Sequence, residues 1–376
     1  MKNPFVYGKE VSGKDFCNRK KEIAELTRDV LNSQNVMLFS QRRFGKTSLI
    51  KEVFRRSRKE GIITVYVDLY PMLSEEDFVS IYGKAIATNI FGKLEKTFKE
   101  LAALFKRIRP SFSLEDSGEL AYSFNIDQKG IDSSIEDVLE SVKRHADKHK
   151  KQIAVCFDEF QQIGQFKTDK LEKLIRSSVQ QHANISYIFM GSKKHLITDI
   201  FNNPNRPFYR SAKPFPLQKI GAEELTNFLL EKFSETGKQI EIKLVKKIIE
   251  VCEEHPYYVQ YLAHIIWEIS LDLKKVTEKE INNGLNMLLE REKSTYEATW
   301  DLLTVQQKKA LTALALQVEK DQLFSQNFIQ KNKLKSTSTF RRTLESLIDK
   351  DLIDKADNNY SIIDVFFKKW IISLGD

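Results

Sequence analysis

The sequence predicts a parallel α/β sheet domain, followed by an all-helical domain and then a winged helix-turn-helix. Three observations predict this. Short apolar strands alternate with amphipathic helices as far as about residue 219. From Gly221 the strand-like runs stop and helical periods follow one another. The tail then reads helix, helix, helix and a two-stranded wing. At 376 residues the chain is long for one domain, and a hydrophobic fraction of 41% supplies apolar residues for two or three cores.

The elements follow in order. A loop with Pro4, Gly8 and Gly13 leads into a helix from about Arg19. "NVMLF", 35–39, is a short buried strand that enters a glycine-lysine loop and a helix. "IITVYVDLY", 62–70, is β-branched and aromatic, as strands are, and a long helical region covers 75–107. The stretch 109–127 breaks the helical period, and its alternation around "DSG" suggests a β-hairpin insert. "QIAVCFDEF", 152–160, is a buried strand ending in two carboxylates. A helix over 168–182, the strand "ISYIFMGS" and a last strand "KPFPL" complete the sheet. The expected domains are therefore a core over 1–219, a helical lid over 220–300 and a winged helix over 301–376, whose wing turns at Asn358-Asn359.

The net charge is +8, which permits an anionic partner without demanding one. Cys17, Cys156 and Cys252 are far apart and form no CxxC pair. A disulfide framework or zinc site is not expected, and a reducing, cytoplasmic setting is. No apolar run approaches the ~20 residues of a membrane span, and the first residues carry no apolar signal core. His145 and His149 fall four apart in a basic run and read as a solvated face.

Two motifs carry chemistry. In "SQRRFGKTSL", a strand enters a loop that opens a helix, so backbone N–H groups and the helix dipole face an anion. Gly45 allows close approach, Lys46 would reach β- and γ-phosphates, and Thr47 would hold Mg²⁺. Ser40 stands where the usual first glycine would be, and a negative φ there would let it turn the chain. "AVCFDEF" supplies the partner: Asp158 would hold Mg²⁺ through water and Glu159 would polarise the attacking water. Together they read as a P-loop NTPase of the ASCE type, with ATP or ADP bound. Adenine is favoured because no [NT]KxD-like guanine reader occurs. Ser192 either touches the γ-phosphate and water or caps the next helix. Arg206 and Arg210, in "NRPFYR", are each a candidate arginine finger or a salt-bridged structural residue.

With these residues in place, the chain resembles the prokaryotic AAA+-type ATPases of the STAND class, the archaeal-type ATPase family, over nearly its whole length. Phe16, Arg19 and Glu22 match that family's F-x-x-R-x-x-E box, which implies a place against the adenine. The stretch Arg42, Arg43, Phe44, Gly45, Lys46, Thr47, Ser48 resembles its R-R-x-G-K-T-S loop. "FDEFQ" resembles its Walker B segment, "MGS" its sensor strand and "PFYR" its arginine segment. "EEHPYYVQYL", with Pro256, resembles its lid module, although Glu254 stands where glycine is usual. The resemblance implies a strand order of 5-1-4-3-2 and a nucleotide between core and lid. It also implies an ATP-dependent switch that hydrolyses slowly, works with an unknown protein partner, and has self-association open to it. The winged helix has two readings. Arg341 and Arg342 on the would-be recognition helix, with Lys331, Lys333 and Lys335 before it, form a DNA-phosphate footprint. Alternatively, the module regulates the ATPase by packing on it.

Overall fold

The computed structural model describes every residue except 1, 12, 18, 92–97, 115–119, 127–129, 318–322, 357–358 and 376. It divides into two compact units, Arg19–Gln218 and Met1–Asn18 with Lys219–Asp376.

The first unit is the α/β one. Helix α1 (Lys20–Leu31) precedes strand β1 (Val36–Phe39), α2 (Lys46–Lys59), β2 (Ile63–Asp68), α3 (Glu75–Ile86) and α4 (Phe98–Leu104). The hairpin β3 (Arg109–Leu114) and β4 (Leu120–Asn125) follows, then α5 (Ile131–His149), β5 (Ile153–Asp158), α6 (Lys170–Gln180), β6 (Ile185–Gly191), α7 (Lys194–Asn202) and β7 (Lys213–Pro216). Five strands form one sheet in the order β2-β5-β6-β1-β7, every pairing parallel. This is the order the sequence resemblance implied. β5 and β6 are buried along their whole lengths, which explains why they read as unbroken apolar runs rather than alternating ones.

The register brings the strand ends level. Phe39 pairs with Gly191, and Asp68 with Asp158. The loop after β1, the carboxylates after β5 and Ser192 after β6 therefore leave the sheet at one edge. Behind that edge lies an aromatic core of Phe157, Phe160, Phe189, Phe201 and Phe208. Phe160 and Phe189 have centroids 4.5 Å apart, and Phe160 meets Phe208 edge-on at 5.3 Å, the tilted contacts aromatic quadrupoles favour.

The expected hairpin is present, with Arg109 opposite Asn125; its Asp116-Ser117-Gly118 turn lies outside the described residues. Asp137 of α5 anchors its approach by accepting backbone N–H groups of Lys106, Arg107 and Ile108. Arg144 pairs with that carboxylate at 2.6 Å. His145 is buried, not solvated, because it shares a helix face with Val138, Val142 and Ala146.

The second unit holds α8 (Ala222–Glu235), β8 (Gln239–Ile240), α9 (Ile242–Val251), α10 (Pro256–Ile269), β9 (Lys275–Val276) and α11 (Glu278–Asp301). Then come α12 (Val305–Ala315), α13 (Gln326–Lys331), α14 (Thr337–Asp349), β10 (Ile353–Ala356), β11 (Asn359–Ile362) and α15 (Val365–Ser373). The last six are the three helices, wing and closing helix of a winged helix; Asn358 of the wing turn lies outside the described residues. Ser325 and Ser336 cap α13 and α14 through their hydroxyls.

One boundary departs from expectation. Residues 1–18 group with the helices, not with the sheet domain. The reason is local packing: Phe5 is buried against Phe233 at 4.7 Å and Tyr7 stacks on Tyr261 at 4.2 Å. The Val6 amide donates to Gln260 Oε1, and His264 Nδ1 bonds the Phe5 carbonyl at 2.7 Å.

Candidate active site

The loop between β1 and α2 turns through two left-handed residues, Arg43 at φ 64° and Gly45 at φ 83°. Ser40 is not one of them. Its position asks for a small side chain rather than for glycine's freedom, so the missing first glycine costs the loop nothing in backbone strain. Gly45 is the N-cap residue of α2, which leaves the first helical N–H groups facing outward from the sheet edge.

Lys46 is buried, and its Nζ donates to the Gln41 carbonyl at 3.0 Å and the Ser40 carbonyl at 3.2 Å. Burial pushes its ammonium down to about 8, against the pull of Glu159 and Asp158, and Arg42 pushes it further down. A cation held this way is poised to be reclaimed by phosphate charge. Phe44 and Ser48 are buried, while Arg42 and Arg43 are exposed.

Asp158 lies across from Thr47, whose Oγ1 donates to Asp158 Oδ2 at 3.3 Å. The same oxygen accepts from the Tyr66 hydroxyl, and Oδ1 accepts from the Glu159 amide at 2.9 Å. Burial holds the Asp158 carboxyl above its ordinary range; the Tyr66 hydrogen bond opposes this and the Glu159 charge adds to it. Burial likewise holds the Tyr66 phenol well above its usual value, so it stays a donor. Thr47 Oγ1 and the Asp158 carboxylate are hard oxygen donors beside a second carboxylate. That set fits a small divalent cation, which would relieve the buried charge. Among the described residues no three His, Cys, Asp or Glu side chains gather as a metal cage. Mg²⁺ needs none, since it takes one or two protein ligands and completes its shell with water and phosphate.

Glu159 adopts the left-handed conformation at φ 52°, a strain of the kind that clusters at functional sites. Its Oε2 accepts from Ser192 Oγ at 2.8 Å and from Gln161 Nε2. Ser192 thus serves Glu159; the helix cap of α7 is Lys193, without a side-chain bond. Gln161 was missed as a site residue, although it stands in "FDEFQ". A Cβ on Gly191 would come within 2.7 Å of Gln161 Oε1, so the glycine of "MGS" makes room for it. Asp68 receives the Tyr70 amide at 2.9 Å.

The remaining candidates lie elsewhere. Arg19 is buried and fully occupied by protein: it pairs with Glu22 at 2.9 Å and donates to the Gln218 and Phe44 carbonyls. It braces the phosphate loop from behind. Phe16 and Pro256 belong to the second unit. Pro256 opens α10 behind His255, and Glu254 before it takes φ 59°, the conformation a glycine there would supply. Arg210 lies over its neighbour Tyr209, 5.2 Å from the ring centroid. Arg206 pairs with buried Glu172 at 2.5 Å.

Glu172 is held up at about 6, mainly by burial; Arg206 opposes this, while Asp169 and Asp199 reinforce it. A carboxyl whose folded pKa exceeds its unfolded value weakens the fold above that pKa and not below the unfolded one. Arg206→Ala should therefore destabilise this unit by about 3 kcal/mol at pH 8. The deficit should shrink near pH 5, where Glu172 is neutral. Thermal melts at both pH values read this out, and an equal deficit at both would remove Glu172 as the cause.

Two family models match the chain. Residues 16–262 match the model of an ATPase domain predominantly from Archaea, and residues 294–373 match a probable winged helix domain. No curated protein matches the chain. Among solved structures, the chain is similar to the Walker-type ATPase PABY2304 of Pyrococcus abyssi at 17% identity. The alignment covers 98% of this chain and 99% of that one, with a TM-score of 0.65. It is also similar to the Aeropyrum pernix ORC2 protein, in ADPNP-ADP complexes, at 13% identity, 96% and 95% coverage and a TM-score of 0.59. The ORC1 protein of the same organism, in complex with DNA, aligns at 11% identity over 97% and 94% with a TM-score of 0.52. These likenesses are of fold. The family match spans most of the chain and contains the loop, both carboxylates and Ser192, so the chain belongs to the P-loop ATPase-domain family found predominantly in Archaea.

Proposed function

We propose that the protein binds ATP with Mg²⁺ and hydrolyses it slowly, acting as a molecular switch of the STAND type. The observation that carries this is the meeting of Lys46, Thr47, Asp158, Glu159 and Ser192 at one strand edge. Lys46 and the α2 N-terminus bind the phosphates. Thr47 and Asp158 would hold the cation, which would supply charge neutralisation on the phosphates. Glu159, steadied by Ser192 and Gln161 on Oε2, accepts a proton from the attacking water. The nucleotide state then biases the helical lid and winged helix, and hydrolysis resets them. Phosphate release from ATP, with and without Mg²⁺, tests the reading. Mg²⁺-dependent turnover is expected, and release no faster than without protein would overturn it.

A second reading, a DNA-binding regulator, is favoured by one observation. Lys331, Lys333, Lys335, Arg341 and Arg342 are all exposed, and among the described residues no carboxylate forms a salt bridge with any of them. Lys308 and Lys309 line a groove with Lys331 and Lys333. Phosphate contacts by such a face make affinity fall steeply with salt. A duplex mobility shift at low salt, lost in Arg341→Ala/Arg342→Ala, would support this reading; no shift at low salt would end it.

A further inference from the structure

We infer that Tyr66 is a positioning residue for the divalent cation: its hydroxyl holds the Asp158 carboxylate toward Thr47 whether or not the cation is bound. This rests on reading Thr47 and Asp158 as the cation's protein ligands. Tyr66 stands on β2 opposite Cys156 in the parallel register. Asp158 is two residues further along β5, about 6.6 Å, a span that only a long side chain covers. The Lys51 ammonium of α2 lies 5.5 Å from the ring centroid.

The accounting of donors gives Tyr66 its role. An ionised carboxylate has about four acceptor sites. Asp158 Oδ1 takes the Glu159 amide, and Oδ2 takes the Thr47 and Tyr66 hydroxyls. Thr47 must offer its oxygen to the cation, so its bond to Asp158 depends on the state of the site. The Tyr66 donor comes from β2 of the sheet rather than from the phosphate loop, so it remains beside Oδ2 when Thr47 turns to the cation, although the two hydroxyls also meet each other. Without that hydroxyl, Oδ2 depends on Thr47 alone, and the carboxylate can rotate away from where the cation's water shell would meet it. Groups that orient a metal-binding carboxylate typically change metal affinity by about 10–100-fold when removed.

The test is a titration of wild type and Tyr66→Phe with a fluorescent ATP analogue, in Mg²⁺ and in EDTA. Phenylalanine keeps the ring and its contact with Lys51. The affinities in EDTA should agree, because the phosphate loop is unchanged. The gain in affinity conferred by Mg²⁺ should be about 10-fold smaller in the variant. A variant with the full wild-type gain would show that Tyr66 only packs. An equal loss of affinity in EDTA and Mg²⁺ would show that it supports the loop rather than the cation. Either result overturns the inference while leaving the cation site standing. Wild type with no Mg²⁺ gain at all would instead overturn the cation site, and Tyr66's role with it.

Discussion

Glu159→Gln should bind ATP as tightly as wild type and release phosphate at least about 100-fold more slowly, the usual contribution of a positioned general base. Both donors to Glu159, from Ser192 and Gln161, fall on Oε2. The carboxylate is thereby oriented while Oε1 can still accept the proton of an attacking water. Glutamine keeps the shape and loses the basicity. It also removes the negative charge next to Asp158, a repulsion that raises the Asp158 pKa, so the variant should melt no earlier than wild type. Malachite-green phosphate release beside an equilibrium binding curve separates the two effects. Equal turnover in both proteins would remove Glu159 as the base, and lost binding would mean that it shapes the site rather than the chemistry.

Lys46→Ala should abolish measurable nucleotide binding. Its Nζ spans the loop, donating to the carbonyls of residues 40 and 41. The substitution therefore removes both the phosphate's cation and a brace that keeps the loop shaped. Charge-assisted bonds of this kind are worth roughly twice a neutral one. A companion effect of pH follows in wild type. Burial holds the free Lys46 ammonium down to about 8, and bound phosphate raises its pKa. Binding thus takes up a proton once the pH exceeds that value, and affinity should fall as pH rises from 8 to 9, by up to about 10-fold per unit. Calorimetry in two buffers of different ionisation heat measures the proton uptake. Unchanged affinity of Lys46→Ala would defeat the phosphate-loop assignment, and pH-independent binding across this range would remove the linkage.

The strand–loop–helix around Gly45, the apolar strand ending in Asp158-Glu159 and the helix order of the tail were legible because each is a local pattern. Periodicity, a glycine at a turn and a strand end are written in consecutive residues. Ser40 and Glu254 show the limit of reading by motif. Both looked like departures at glycine positions, yet Ser40 needs no glycine conformation, and Glu254 adopts one at φ 59°.

Other residues became intelligible only across the sheet. Tyr66 reaches Asp158, and Gln161 fits beside Gly191, because parallel pairing places those strand ends side by side. Arg19 gives its guanidinium to Glu22 and two backbone carbonyls. Arg206 went to Glu172 because a buried carboxylate draws the nearest cation. Phe5 and Tyr7 carried the first 18 residues to the helical unit, since aromatic side chains follow the core that buries them.

By itself the sequence determined the α/β class, the phosphate loop and the carboxylate pair, since chemistry and chain direction suffice for those. Tertiary structure alone decided which donors hold Asp158 and Glu159, and which arginine is tied down by a buried acid. Asp158 draws its side-chain donors from 111 and 92 residues away and Glu159 one of its two from 33, and hydrogen bonds and buried charges are settled by distances in space rather than by order along the chain.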